Sequence, residues 1–170
     1  MKTILLSILL LLAVLSQVTV SSLFPLSGAI ADLPLITILL FSVFAGPRSV
    51  MIAIPAAAFM LGFVSDRSPG LLLMAYLPLL PLAVILENSP LPLNHYARTA
   101  LTCLAAGLWG RTVLALGAVA QGADLPVGTL IAGVLIPGAF LDIALLTLAY
   151  VPCRVVGWSG RGMTLQRGGW

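Results

Sequence analysis

Long apolar stretches separated by short polar breaks make up most of this chain. Each stretch is close to the roughly 20 apolar residues that a helix needs to cross a bilayer. The pattern therefore predicts an all-α, polytopic membrane protein with six transmembrane helices, over residues 3–20, 31–45, 49–64, 71–86, 99–120 and 126–151. The second stretch is short, so its helix either begins earlier, near Leu26, or crosses a thinned part of the bilayer.

Proline, glycine and charged residues mark the breaks. Gly46-Pro47-Arg48 predicts a tight turn, since Pro47 ends a helix and Gly46 permits unusual backbone angles. The longest polar loop covers residues 87–98. After the sixth stretch the chain is too polar to span a membrane and carries several glycines, which predicts a flexible end. We thus divide the chain into a six-helix transmembrane bundle over 1–152 and a short basic cytoplasmic tail over 153–170.

The distribution of Lys and Arg predicts the orientation, because short cytoplasmic loops carry an excess of these residues. If the N-terminus lies inside, the outer loops hold only one basic residue, Arg67, which follows Asp66. The cytoplasmic side then holds Lys2, Arg48, Arg98, Arg154, Arg161 and Arg167. We therefore expect both ends of the chain in the cytoplasm.

The first apolar stretch has a second interpretation, as a secretory signal peptide. Lys2 precedes an apolar run to Leu15, and Val20-Ser21-Ser22 loosely matches a cleavage site with small residues. Cleavage would leave five helices and place the new N-terminus outside. The retained helix is favoured, and the signal peptide is kept as the alternative.

Composition agrees with lipid as the main surroundings. Hydrophobic residues make up 61% and charged residues 8% of the 170 positions, against about a quarter charged in an average soluble domain. The net charge is +3, but the basic residues are scattered, which gives nucleic-acid binding little support. Cys103 and Cys153 lie far apart, so we interpret both as small apolar residues rather than as disulfide partners or metal ligands.

Candidate catalytic residues are sparse. An enzyme needs positioned acids, bases, nucleophiles or metals, and the common catalytic and nucleotide-binding motifs are absent from the sequence. The single histidine, His95, falls in the longest predicted loop, where a solvated loop residue is favoured over a metal ligand or a triad member. The sequence thus predicts a protein without enzymatic activity, catalytic residues, cofactor or metal site.

Two charged residues interrupt the apolar segments, Arg111 in the middle of the fifth and Asp142 in the inner half of the sixth. A charge at membrane depth costs at least ~2.5 kcal/mol and usually faces the bundle interior with a partner. The two residues lie ~18 Å and ~12 Å from the inner ends of their helices, an offset that an arginine side chain can bridge. We predict an ion pair that locks these two segments together. The alternatives are a role in binding a partner or ligand, or helix ends that place one residue at an interface.

Small residues and internal prolines give a packing signal. Small residues four positions apart let helix backbones approach closely in lipid, and packing within the chain is favoured over an oligomer interface. Prolines inside the segments predict ordinary kinks, with interrupted helices that line a cavity as the alternative. The spaced pairs are Ala53/Ala57, Ala58/Gly62 and Ala106/Gly110, and the internal prolines are Pro55, Pro78, Pro81 and Pro137.

Two parts of the chain carry a recognisable order of Asp, Gly and Pro positions. The first comprises Asp32-Leu33, Gly46-Pro47, Gly62-Phe63, Asp66 and Gly70. The second comprises Leu141-Asp142, Tyr150-Val151-Pro152 and Arg154. Together with the size and helix count of the whole chain, they resemble the family of rod shape-determining proteins MreD.

The resemblance implies a non-enzymatic component of the bacterial cell-elongation machinery, which controls rod shape and peptidoglycan synthesis at the inner membrane. The implied partner is MreC, a single-span protein with a periplasmic domain. The complex would act with RodA, a class B penicillin-binding protein and MreB filaments, surrounded by membrane lipid. The resemblance also implies a fold like the substrate-binding subunits of energy-coupling-factor vitamin transporters.

That fold supplies an alternative function, a solute-binding membrane subunit. Such a subunit should contain an outward-opening cavity with converging polar side chains. The predicted outer loops are short and poor in Trp, Asn and Gln, so they predict no such pocket. We therefore favour a binding scaffold. Its candidate stabilising or partner-contact residues are Asp32, Asp66, Arg111 and Asp142.

Overall fold

The regular structure of the chain is helical throughout the described part. The computed structural model describes residues 2–19, 30–65, 67–88, 92–123 and 126–155. Within those residues every regular element is a helix, as the apolar pattern predicts. The elements are α1 (Lys2–Thr19), α2 (Leu33–Ala45), α3 (Pro47–Ser65), α4 (Pro69–Tyr76), α5 (Leu79–Glu87), α6 (His95–Ala120), α7 (Val127–Leu130), a π-helical turn (Ile131–Leu135) and α8 (Ile136–Val155).

The turn between α2 and α3 lies at Gly46 as predicted, but it is shorter than predicted, because Pro47 and Arg48 already belong to α3. Gly46 adopts a positive φ of 89°, and its N–H closes α2 by donating to the carbonyl of Phe41 at 3.0 Å. Pro47 is the first residue of α3, a position where its missing N–H costs nothing. The two helices are therefore joined by a single residue.

The start of α6 corrects one prediction. His95 is the first residue of α6 rather than a solvated loop residue, and its side chain is partly buried. The side chain of Asn94 caps the helix by accepting from the N–H of Ala97 at 2.7 Å. The apolar pattern predicts a helix start at Thr99. With this cap the helix begins four residues earlier, at His95.

The internal prolines act in different ways. Pro55 lies inside an uninterrupted α3. The fourth predicted segment is two helices, α4 and α5, because Pro78 cannot donate a backbone hydrogen bond at the junction. The sixth predicted segment contains the π-helical turn directly ahead of α8. Pro137 is the second residue of α8.

The core surrounds α2. All of its residues from Pro34 to Phe41 are buried. This stretch of the helix is therefore covered on every face rather than on one apolar face. Helices α1, α3, α6 and α8 contact it, and α4 and α5 pack on α6. The small residues Ala53, Ala57 and Ala58 of α3 are buried inside the single chain, which agrees with packing within the chain.

The outer surface is strongly apolar. Large apolar side chains are widely exposed on different helices, for example Phe63 at 83% and Phe140 at 71%. Among the described residues, two helical stretches, His95–Ala120 and Gly128–Arg154, are long and apolar enough to cross a bilayer, and four other apolar stretches are shorter. These features are consistent with a membrane location. Six spans and the orientation of the ends remain predictions.

Candidate functional site at a buried charge cluster

The predicted ion pair between the fifth and sixth segments is present. Arg111 of α6 donates from Nη1 to Oδ2 of Asp142 in α8 at 2.6 Å. The side chains are only 9% and 1% exposed. A charge-assisted hydrogen bond of this length in an apolar interior is strong, and losing either partner would leave the other charge buried and unpaired.

Two glycines make room for this pair. A methyl group at Gly107 would lie 2.9 Å from Oδ2 of Asp142 and 3.1 Å from Nη1 of Arg111. A methyl group at Gly138 would lie 2.6 Å from Cζ of the same arginine. All three distances are shorter than ordinary van der Waals contacts, so the guanidinium fits only because these positions lack a side chain.

Asp32 connects the start of α2 to the ion pair. Its backbone N–H donates to Oδ1 of Asp142 at 2.9 Å. Its own Oδ1 accepts from the N–H of Leu35 at 3.1 Å, which caps α2, and from the hydroxyl of Tyr76 at 3.0 Å. Arg111 also donates from Nη2 to the carbonyl of Ile30 at 3.3 Å. Helices α2, α4, α6 and α8 therefore meet at one polar cluster, defined by Asp32, Tyr76, Arg111 and Asp142.

The cluster and Gln17 supply hydrogen-bond acceptors for the first backbone N–H groups of α2. The first N–H groups of a helix have no partner within it and need one elsewhere in an apolar interior. At the start of α2, Asp142 accepts from Asp32, Gln17 of α1 accepts from Leu33 at 2.9 Å, and Pro34 has no N–H. Since the carboxylate of Asp32 takes the N–H of Leu35, every backbone donor at this end is paired.

A cavity of about 560 Å³ opens beside the cluster. Its polar lining comes from four helices, from Asp32 just ahead of α2 and from Arg67 in the short loop between α3 and α4. Its remaining wall is apolar. The polar lining residues are Gln17, Asp32, Ser65, Arg67, Tyr76 and Arg111, and the apolar ones include Leu61, Leu72, Leu114 and Val134. Sequence reasoning predicted no such pocket, because it looked for polar residues in the outer loops.

The four candidate residues have different outcomes. Asp32, Arg111 and Asp142 lie together in the cluster. Asp66 lies outside the described residues. Tyr76 was missed, although it is the one side chain with a hydroxyl in the otherwise apolar segment 71–86.

Ionisable side chains dominate the cluster. It contains two carboxylates and one guanidinium, with a second guanidinium, that of Arg67, in the cavity wall. In the described ranges, no group of three or more His, Cys, Asp or Glu side chains is placed to hold a metal ion. Cys103 is buried and Cys153 is half-buried, and both are free thiols. The arrangement is suited to holding helices together and to binding polar groups.

Comparisons with protein-family models, curated proteins and solved structures found no match to this chain. The MreD resemblance therefore rests on the sequence alone.

Proposed function

We propose that this chain is a non-catalytic membrane component of the bacterial cell-elongation complex, which binds an MreC-like single-span partner. The observation that supports it most is the contact between the two parts of the sequence that resemble MreD. Those parts, residues 31–70 and 141–154, are joined by the hydrogen bond from Asp32 N–H to Asp142. The two parts that carry the resemblance are distant in sequence and thus contact each other in one structural unit.

Other residues of the resemblance lie at structural junctions. Gly46 has the positive φ that the turn between α2 and α3 requires. Gly62 packs on the start of α4, since a methyl group there would lie 2.8 Å from Cγ of Pro69. These residues determine helix connections and packing, which is the pattern expected of a shared fold rather than of a shared reaction.

The proposal includes six membrane spans, with α4 and α5 as one broken span and α7, the π-helical turn and α8 as another. It places both ends of the chain in the cytoplasm of a bacterial inner membrane. The end of α1 and the start of α2 then face the periplasm, so the 560 Å³ cavity beside Asp32 and Arg111 opens on that side. RodA, the class B penicillin-binding protein and MreB remain partners of the complex as a whole.

Affinity purification from native membranes tests the proposed partner. The tagged chain is extracted in a mild detergent without added crosslinker, and the proteins that remain bound are identified by mass spectrometry. We expect a single-span protein with a periplasmic domain in a fixed ratio to the chain. Recovery of the folded chain without such a protein, from cells that contain one, would contradict the proposal. An unrelated six-span protein with the same tag is the control.

The cavity favours a second candidate function, the solute-binding subunit of an energy-coupling-factor type transporter. Its volume of about 560 Å³ lies within the usual range for small-molecule pockets, roughly 300–1,000 Å³. Mass spectrometry of the same purified sample distinguishes the two. A vitamin-sized solute retained without an MreC-like protein would favour the transporter subunit.

A further inference from the structure

The cavity contains polar groups that the cluster leaves unused. Asp32 accepts two hydrogen bonds at Oδ1, and its Oδ2 accepts none among the described residues. Gln17 uses its amide oxygen to accept from Leu33, and its NH₂ group makes no hydrogen bond within the same part of the chain. Because both residues line the cavity, the cavity contains an anionic acceptor and an amide donor that a bound molecule can use.

Positive charge is also available at the cavity. Arg67 is an exposed residue of the cavity wall and adds a guanidinium. Arg111, whose side chain is only 9% exposed, has five N–H donors, and within the described part of the chain two of them are used, toward Asp142 and Ile30. The cavity lining therefore offers two guanidinium groups to an acidic group and the carboxylate of Asp32 to an ammonium group.

The remaining wall is apolar and is formed by residues such as Leu61, Leu114 and Val134. A fully polar ligand would leave this surface in contact with water, whereas an amphiphile would cover it. We propose that the cavity binds a molecule that carries both an ammonium and a phosphate group, and the apolar wall favours one that also has an acyl chain. That chemistry occurs in a zwitterionic lipid headgroup and in a free phosphorylated amine.

Ligand-dependent stabilisation of the purified full chain tests the proposal. Thermal unfolding in a maltoside detergent is followed by tryptophan fluorescence during titration with three probes. The probes are a short-chain phosphatidylethanolamine, soluble phosphoethanolamine, and a short-chain phosphatidylglycerol that lacks the ammonium. We expect the ethanolamine lipid to raise the unfolding temperature with saturation, because a ligand that binds only the folded state stabilises it. Equal stabilisation by phosphoethanolamine would show that the ammonium and phosphate suffice and would assign the site to free solutes. Stabilisation by the lipid alone would assign it to a lipid headgroup.

Three variants locate the site. Arg67→Gln removes the exposed cation and should weaken binding about tenfold, the loss of one charge-assisted hydrogen bond. Gln17→Glu keeps the oxygen that accepts from Leu33 and replaces the amide donor by a carboxylate that repels phosphate, so it should weaken binding at least as much. Arg154→Gln, near the end of α8 and outside the cavity, is the matched control and should leave affinity unchanged.

Three results would overturn the proposal: no stabilisation by either ethanolamine probe, equal binding of phosphatidylglycerol, or equal weakening by the Arg67 and Arg154 variants. The proposal does not depend on the MreC-like partner, because binding is measured on the chain alone. A failure here, with the partner still co-purifying, would remove the ligand site and leave the proposed scaffold intact. Ligand binding without a co-purifying partner would remove the proposed scaffold and leave the ligand site.

Discussion

Breaking the ion pair between α6 and α8 should destabilise the protein far more than removing both of its charges together. Arg111→Ala leaves the carboxylate of Asp142, 1% exposed, with the backbone N–H of Asp32 as its remaining donor. Asp142→Leu likewise leaves the guanidinium without its counter-ion. Removing one partner of a buried pair typically costs about 3–5 kcal/mol, whereas replacing both by apolar residues is often close to neutral.

The assay is unfolding of the purified chain in mixed detergent with increasing dodecyl sulfate. Trp109 of α6 is a suitable fluorescence reporter, because its Nε1 donates to the carbonyl of Met74 in α4 at 3.2 Å and unfolding breaks this contact. We expect each single variant to lose about 3–5 kcal/mol of unfolding free energy. The cycle compares Arg111→Met, Asp142→Leu and the double variant that carries both. The double variant should lose at least about 2 kcal/mol less unfolding free energy than the sum of the two single losses.

A neutral contact between the same two helices serves as the control. Tyr96 of α6 and Thr147 of α8 share a hydrogen bond between their hydroxyls at 2.6 Å. Hydrogen bonds between membrane helices average about 0.6 kcal/mol in double-mutant cycles, so Tyr96→Phe with Thr147→Val should show coupling of that size. Additive losses for the charged pair, or a coupling energy no larger than that of the neutral pair, would refute the claim that the ion pair holds α6 and α8 together.

Three further predictions concern a glycine beside the ion pair, the tyrosine of the cluster and the orientation of the chain. Gly138→Ala should destabilise the chain by about 1–3 kcal/mol, because its methyl group displaces the guanidinium of the ion pair. Gly133→Ala, which has open space around it, should be tolerated in the same unfolding assay. Tyr76→Phe removes the hydroxyl that donates to the carboxylate capping α2 and should cost about 1–3 kcal/mol; a neutral result would exclude α4 from the cluster. In a background without the native cysteines, Ser68→Cys should react with an impermeant maleimide in intact spheroplasts and Arg154→Cys only after permeabilisation, whereas the opposite pattern would reverse the proposed orientation.

The helices and the ion pair could be predicted because their signals are local in sequence. Apolar stretches of helix length and turns at Gly46-Pro47 need no knowledge of the fold. A charge within such a stretch must find a partner in an apolar bundle, and only Arg111 and Asp142 were available at similar depth. The same logic could have included Tyr76, because a hydroxyl in an apolar segment also needs a partner.

Other features depend on three-dimensional proximity and could not be predicted. Gly138 appears ordinary in sequence, and its role is visible only where the guanidinium of Arg111 lies against it. Gln17 caps a helix that begins after an intervening segment, so no local pattern connects it to Leu33. The cavity could not be predicted for the same reason. Each segment contributes only one or two polar residues to its lining, and they come together only in the folded chain.

Photo-crosslinking in living cells tests most directly whether this chain acts by holding a single-span partner. A photoreactive amino acid is placed at exposed apolar positions on different helices, such as Ile52, Phe63, Phe140 and Leu148, with the buried Ile38 as the control. We predict that positions on one face form an adduct with a single-span protein that has a periplasmic domain, while Ile38 forms none. Adducts only with lipid or with second copies of the chain, from every exposed position on every helix, would contradict the proposed scaffold.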